Sequence, residues 1–314
     1  MTRLSRCAWA RSVLPTNSFK GFGGVFMARR IASSRRRAIS SSVKSGSEFS
    51  LADMPSPDLF KSPRALINRA RENRTEFNQR SQAFIDDKPY AQFIEPEPET
   101  GLYLLKIRLT KDFPDSIAAV ASDAIKNIRD SLDQIICGAL FALRPGVSLS
   151  GVYFPFGDDP VHLEHAIAKG CGKLPPEIAA IIRGFNPHKG GDAVFWALNR
   201  LARRKHQALF ELIPDPDTVE VYLLEVMVTS PVFRPYWDPA KKELVLSRTT
   251  KDREPGYDLD TVFRISFGDV EEVGGLPAVP VLDYLINVVE RVLVAVEAET
   301  LRLLSEGSDS TAID

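Results

Sequence analysis

Apolar residues spaced three and four positions apart predict the long helices of this chain. The clearest stripe spans residues 115–143, where Asp115 or Ser116 can cap the helix and Pro145 stops it. A sparser stripe over residues 62–86 predicts a surface helix, and residues 281–304 predict a long closing helix. The apolar positions of the clearest stripe are Ile117, Val120, Ala121, Ala124, Ile128, Leu132, Ile135, Ala139 and Leu143. Shorter helices are predicted at residues 161–169, 176–183 and 192–210.

Alternation at period two predicts the strands. Residues 90–95 and 102–110 flank a Pro- and Gly-containing loop, which indicates a hairpin. Further strands are predicted at residues 219–229, 243–250 and 261–267, and the short apolar stretch at residues 153–156 could form an isolated strand. Residues 232–237 hold too many prolines for a central strand. We therefore expect an α+β fold. Its antiparallel sheet combines a hairpin near 88–110 with strands in 218–268, packed with three or four long helices.

The first 57 residues differ in composition from the rest. Residues 1–47 carry ten Lys and Arg and no Asp or Glu, and much of the remainder is Ser. Such a segment could be an organelle transit peptide, a basic arm that touches nucleic acid or anionic lipid, or a disordered tail, which is shorter by 26 residues if translation starts at Met27. We favour the disordered tail. The predicted organisation is a disordered tail over 1–57, one α+β domain over 58–305 and a disordered C-terminus over 306–314.

Charge and cysteine content narrow the function classes. Residues 48–314 hold 30 basic and 41 acidic residues, a net charge of −11, which argues against broad coating of nucleic acid. The three cysteines are far apart, and their spacing indicates neither a disulfide framework nor a thiolate metal site. A reducing, cytoplasmic location is therefore expected. No apolar run is long enough for a membrane span, because charged residues interrupt residues 281–296. No membrane association is expected.

Residues 185–210 combine turn chemistry, aromatic residues and basic residues. The turn at residues 186–191 leads to Asp192, a predicted N-cap for the following helix. A helix N-terminus can bind an anion, but this segment lacks both common glycine-rich phosphate motifs. We consider a plain turn the better interpretation.

A pair of histidines raises the question of a metal site. His162 and His165 are three residues apart, one short of the two-histidine zinc pattern on a helix. We interpret them as surface residues, and we predict neither a metal nor a cofactor.

Arg200 and His206 have the loose R-x5-H spacing of the HEPN ribonucleases. There, His would move a proton and Arg would stabilise the charge that develops on phosphorus. Six residues turn a helix by about 600°, so these two side chains do not share a face, whereas Asn199, Arg203 and His206 do. A solvated basic helix end is the simpler interpretation.

Several short motifs follow one another between residues 128 and 206. They are I-R-x-x-L-D at residues 128–133, F-P-F at 154–156, N-P-H at 186–188 and W-x-L-x-x-L before Lys205 and His206. Their order resembles a family of uncharacterised bacterial proteins with an LRxxLD … FPI … L…DKHR pattern. Arg204 and Gln207 depart from the Asp and Arg of the pattern. The resemblance implies a bacterial, cytosolic protein and no particular reaction.

Packing of helix 115–143 along helix 192–210 would bring Arg129 and Asp133 to Lys205 and His206. The structural interpretation, which we favour, is a polar clamp that sets helix register. The functional interpretation is a catalytic site, in which Asp133 orients His206 while Arg129 or Arg203 binds an anion.

Two functions follow from these interpretations. The first is a soluble, non-enzymatic binding or assembly protein with an unidentified ligand or protein partner, a homodimer being one option. The second is a HEPN-like, metal-independent ribonuclease. Nucleic acid would be bound only through the basic tail or the Arg203–His206 helix end.

Overall fold

The computed structural model describes residues 59–203, 210–214, 236–238, 240–249, 263–268 and 270–309. All of them belong to one unit of the chain, Asp58–Asp314. The basic tail, the predicted strand at 219–229 and residues 204–209, with Lys205 and His206, lie outside the described residues.

Six helices and six strands make up the described part of the chain. The helices are α1 (Lys61–Asp86), α2 (Asp115–Leu143), α3 (Pro160–Cys171), α4 (Pro176–Gly184), α5 (Ala193–Leu201) and α6 (Ala278–Asp309). The strands are β1 (Tyr90–Glu97), β2 (Leu102–Leu109), β3 (Phe210–Pro214), β4 (Tyr236–Asp238), β5 (Glu243–Thr249) and β6 (Phe263–Phe267).

The fold is α+β, as the sequence predicts. The main sheet is antiparallel, with strand order β1-β2-β5-β4, and β3 and β6 form a separate antiparallel pair. The predicted hairpin is present as β1 and β2, and Gly101 takes a positive φ of 67° in its turn. Among the described strands, β4 lies at an edge of the main sheet.

The three long helices α1, α2 and α6 pack against one another. Helix α1 runs antiparallel to α2, since Ser62 meets Gln134 while the carbonyl of Leu59 lies beside Gly138. It also runs antiparallel to α6, because a ladder of ion pairs connects the two helices in opposite order along the chain. The pairs are Arg64–Glu297, Arg71–Glu290 and Arg74–Asp283. Most positions of the apolar stripes predicted from spacing are buried between these helices. Leu301, which the spacing also assigns to the apolar side of α6, is 56% exposed.

Aromatic rings connect α1 with the small sheet. Phe210 of β3 lies 5.3 Å from Phe77 of α1 and 4.9 Å from Phe267 of β6, measured between ring centroids. All three side chains are buried, and they belong to the same core as Leu105 and Ile107 of the main sheet. The core therefore connects the long helices with both sheets.

The predicted helix over residues 192–210 is wrong in its second half. Helix α5 ends at Leu201, and Phe210 begins a strand. The buried residues of α5 stop at Leu201, and exposed Arg203 follows. A helix without an apolar face to bury has little to stabilise it in this context.

Three smaller predictions also need correction. Helix α2 begins at Asp115, so the predicted cap lies inside the helix, and the N-cap residue Pro114 makes no side-chain capping bond. Residues 153–156 form no strand, and only Gly157 beside them makes an isolated bridge, to His188. The last helix continues to Asp309, past its predicted end at residue 304.

The main sheet carries a charged cluster on the face opposite Leu105 and Ile107. Lys106 and Glu243 are both buried there, 3.3 Å apart, and Arg108 donates to Glu243 over 2.8 Å. Burial disfavours the charged forms of Lys106 and Glu243, but the hydrogen bonds to their charged partners outweigh this effect of burial on the pKa. The pKa of Glu243 is therefore lowered by Arg108 and Lys106, and the pKa of Lys106 is raised by Glu95 and Glu243.

Candidate functional site

Arg129 and Asp133 lie one turn apart on α2 and form an ion pair of 2.5 Å. The carboxylate of Asp133 also accepts the backbone N–H of Phe154 over 2.7 Å. The guanidinium of Arg129 donates to the carbonyl of Phe154 over 3.4 Å and to the amide oxygen of Asn199 over 3.5 Å. The pair therefore holds both backbone groups of one residue, Phe154.

The segment held by this pair is packed against α5. Phe154 is 1% exposed, and its ring centroid lies 5.7 Å from that of Phe195 in α5. Phe156 lies 5.3 Å from Phe195 and also stacks with the Arg129 guanidinium, 5.4 Å from its centroid. Arg129, Asp133 and the F-P-F motif thus form one structural unit, which we call the Phe154 clamp.

The structure describes three of the four residues of the predicted site, Arg129, Asp133 and Arg203. Arg129 and Asp133 come together, as predicted for an i,i+4 pair, and His206 lies outside the described residues. Arg203 is exposed two residues past the end of α5, and its backbone N–H donates to Arg200. Within the described residues, α2 contacts the end of α5 through the hydrogen bond from Arg129 to Asn199. Along most of its length, α2 packs against α1 and α6 instead. The continuous helix from Asp192 to Phe210, on which the predicted site was built, ends at Leu201. The proximity of His206 to Asp133 stays a prediction.

Arg200, the arginine of the R-x5-H spacing, has a structural partner. Its guanidinium is paired with Glu271 and lies 5.4 Å from the ring centroid of Trp196. Lys189 pairs with the same carboxylate and lies 5.7 Å from the same ring. Hydrogen bonding to Lys189 lowers the pKa of Glu271, so the carboxylate stays charged between the two cations. An arginine bound in this way is not available to a phosphate without breaking the pair.

The turn before α5 is built by Asn186, Gly191 and Asp192. Asn186 takes a positive φ of 47°, and its carbonyl accepts the backbone N–H of both His188 and Asp192. The Asp192 carboxylate accepts the N–H of Phe195 over 2.9 Å, which confirms the predicted N-cap. Its second oxygen accepts the hydroxyl of Tyr284 over 2.5 Å. Because a carboxylate already occupies this helix N-terminus, an anion there would meet a negative charge.

Tyr284 of α6 is the partner of this turn that sequence reasoning missed. It is half-buried, and both burial and its hydrogen bond to Asp192 raise its pKa. His188 is 8% exposed, and its Nδ1 atom makes no hydrogen bond with any described residue. No local spacing links Tyr284 to Asp192, since the two residues are 92 positions apart.

The chain matches no protein-family model, no curated protein and no solved structure. The resemblance to the bacterial family with the LRxxLD pattern therefore stays a prediction. Among the helices of the described residues, none is both long enough and apolar enough to cross a membrane.

The histidines of α3 lie at the surface. His162 donates its backbone N–H to Asp159 over 2.8 Å, and its Nδ1 lies 2.7 Å from the second oxygen of that carboxylate. These two bonds lower the pKa of Asp159. Within the part of the chain that the structure describes, no three His, Cys, Asp or Glu side chains could hold a metal ion together.

The two described cysteines have little nucleophilic character. Burial raises the pKa of Cys171 to about 12, and burial also raises the pKa of Cys137. The thiolate is the reactive form, so neither residue is activated at neutral pH.

Proposed function

We propose that this protein is a non-enzymatic binding or assembly module. The Phe154 clamp carries this proposal, because Arg129 was one of the two candidates for binding an anion and Asp133 was the candidate for orienting a catalytic histidine. One oxygen of Asp133 accepts both Arg129 and the N–H of Phe154. Each of these contacts positions the backbone of a buried residue, and such a role needs no substrate.

A ribonuclease of the HEPN type is the competing function. It depends on His206, and it would need an arginine that is free to stabilise the charge developing on phosphorus. Arg200 is paired with Glu271 instead, and Arg203 lies beyond the end of α5. These placements support the non-enzymatic function over the ribonuclease.

Incubation of the full chain with total RNA tests the choice. We expect no cleavage above buffer by the wild type or by two variants, His206→Ala and His162→Ala. His162 is the matched control, because it is an exposed histidine that pairs only with neighbouring Asp159 among the described residues. Cleavage by the wild type and His162→Ala, but not by His206→Ala, would overturn the proposal.

The location and origin of the protein are part of the same proposal. Three cysteines without pair spacing fit a reducing compartment, so we infer a cytoplasmic protein. The order of the motifs between Ile128 and His206 suggests a bacterial source.

A further inference from the structure

The end of α2 and the loop that follows it have apolar side chains exposed to solvent. Phe141, in the last turn of α2, is 57% exposed, and Val147 and Leu149 of the loop are 37% and 41% exposed. The whole loop, residues 144–151, is exposed. Single exposed apolar residues are common, but three of them so close in the chain indicate a surface that binds something apolar.

Lys173 holds this loop in place. Its ammonium group donates to the carbonyl of Ser148 over 2.7 Å and to that of Ser150 over 3.2 Å. Ser148 lies between Val147 and Leu149 in the chain, so a positive charge lies next to both apolar residues. Because these bonds already order the loop, it loses less conformational freedom when it binds a partner.

The charges around the loop are basic. Residues 48–314 hold 30 basic and 41 acidic residues, yet residues 134–157 and 165–176 contain no Asp or Glu. The cations of these two segments are Arg144, Lys169 and Lys173. All three are exposed, and none of them forms an ion pair with a described residue. Glu177, in the first turn of α4, is the acidic residue closest in sequence to Lys173, and the three cations outnumber it.

We propose that these three apolar residues and three cations, which we call the basic–apolar surface, bind an anionic lipid bilayer. Apolar side chains of such a surface enter the boundary between headgroups and acyl chains, while lysine and arginine beside them attract anionic lipid. Nucleic acid would also attract the cations, but it offers Val147 and Leu149 no apolar phase.

This proposal rests on the proposed binding function and names the partner as a lipid surface. It departs from the expectation of no membrane association, which was based on the lack of an apolar run long enough to span a bilayer. Contact with the surface of a bilayer needs no such run.

Flotation of the full chain with lipid vesicles tests the proposal. Vesicles of phosphatidylcholine with about 30% phosphatidylserine should carry the protein upwards in a density gradient, whereas vesicles of phosphatidylcholine alone should not. Val147→Glu should weaken the binding to anionic vesicles by at least about fivefold, because it replaces an apolar side chain with a negative charge. Val161→Glu is the matched control and should bind as the wild type. Val161 is 64% exposed and lies in the first turn of α3, whereas Lys169 lies in its last turn.

Two further variants separate the apolar contact from the charge. Leu149→Ser removes an apolar side chain without a change in charge, and Lys169→Gln removes one cation. Both should weaken vesicle binding, Lys169→Gln by about fivefold. Both should unfold in urea at the same midpoint as the wild type, since the two side chains are exposed.

Several results would overturn the proposal. One is a wild type that does not float with anionic vesicles, with or without binding to single-stranded RNA or to another protein. Another is equal binding by the wild type, Val147→Glu and Leu149→Ser, which would assign the contact to the basic tail. A large loss of stability in Leu149→Ser would show that the protein itself covers this surface.

The two proposals fail in different experiments. Cleavage of RNA that depends on His206 would remove the non-enzymatic function whether or not vesicles are bound. Absence of vesicle binding, without RNA cleavage, would remove only the lipid surface as the partner.

Discussion

Removal of the Asp133 carboxylate is expected to destabilise the fold by about 2 kcal/mol. Asp133→Ala deletes two charge-assisted hydrogen bonds, from Arg129 over 2.5 Å and from the N–H of Phe154 over 2.7 Å. Phe154 is 1% exposed and the Arg129 side chain is 14% exposed, so water replaces these partners poorly. Asp133 itself is 36% exposed, and this solvent screening keeps the expected loss below that of a fully buried pair.

Two further variants separate the backbone contact from the charge. Asp133→Asn keeps an acceptor for the N–H of Phe154, so it should lose only about 1 kcal/mol. Asp130→Ala removes an exposed carboxylate from the same helix and should stay within about 0.5 kcal/mol of the wild type. Urea unfolding, monitored by circular dichroism, measures the free energy of unfolding of all three variants. Unchanged m-values would show that these free energies can be compared. If Asp133→Ala is no less stable than Asp130→Ala, the structural role of the clamp is refuted.

Three further predictions concern the turn before α5 and the charged cluster of the sheet. Gly191→Ala should cost about 2 kcal/mol in urea unfolding, because its Cβ would lie 2.6 Å from the carbonyl oxygen of Asn186. Gly190→Ala, whose Cβ would approach His188 no closer than 3.7 Å, should be nearly neutral, and equal losses would contradict the turn geometry. Tyr284→Phe should lose about 1 kcal/mol, since Asp192 loses its hydroxyl donor, and an unchanged unfolding midpoint would speak against this bond. The lowered pKa of Glu243 means that its stabilisation is present above the ordinary value of 4.5 and is lost as pH falls through the folded value. The stability difference between the wild type and Glu243→Gln should therefore shrink below about pH 4.5, and a constant difference from pH 7 to pH 3 would count against the buried cluster.

Local pattern was sufficient for the long helices and the hairpin. The apolar spacing of α2 matches its buried face, and the turn between β1 and β2 contains the glycine that indicated it, Gly101. Asp192 was also predictable as a cap, because capping involves residues only three positions apart.

Contacts between distant residues explain what the sequence did not reveal. Phe210 follows a helix-like run, yet its ring packs between Phe77 and Phe267, and this packing places it in a strand. The pairing of Arg200 with Glu271 spans 71 positions, and that of Arg108 with Glu243 spans 135. No periodicity connects such residues, so their roles could only be found in the folded structure.

Hydrogen exchange at the backbone amide of Phe154 tests the Phe154 clamp most directly. In the wild type this amide should be protected, since it donates to Asp133. In Asp133→Ala it should exchange much faster, while the amide of Phe195, which donates to Asp192, keeps its protection. An amide of Phe154 that exchanges at an open-loop rate in the wild type, or that is unaffected by Asp133→Ala, would contradict the structural role assigned to Arg129 and Asp133.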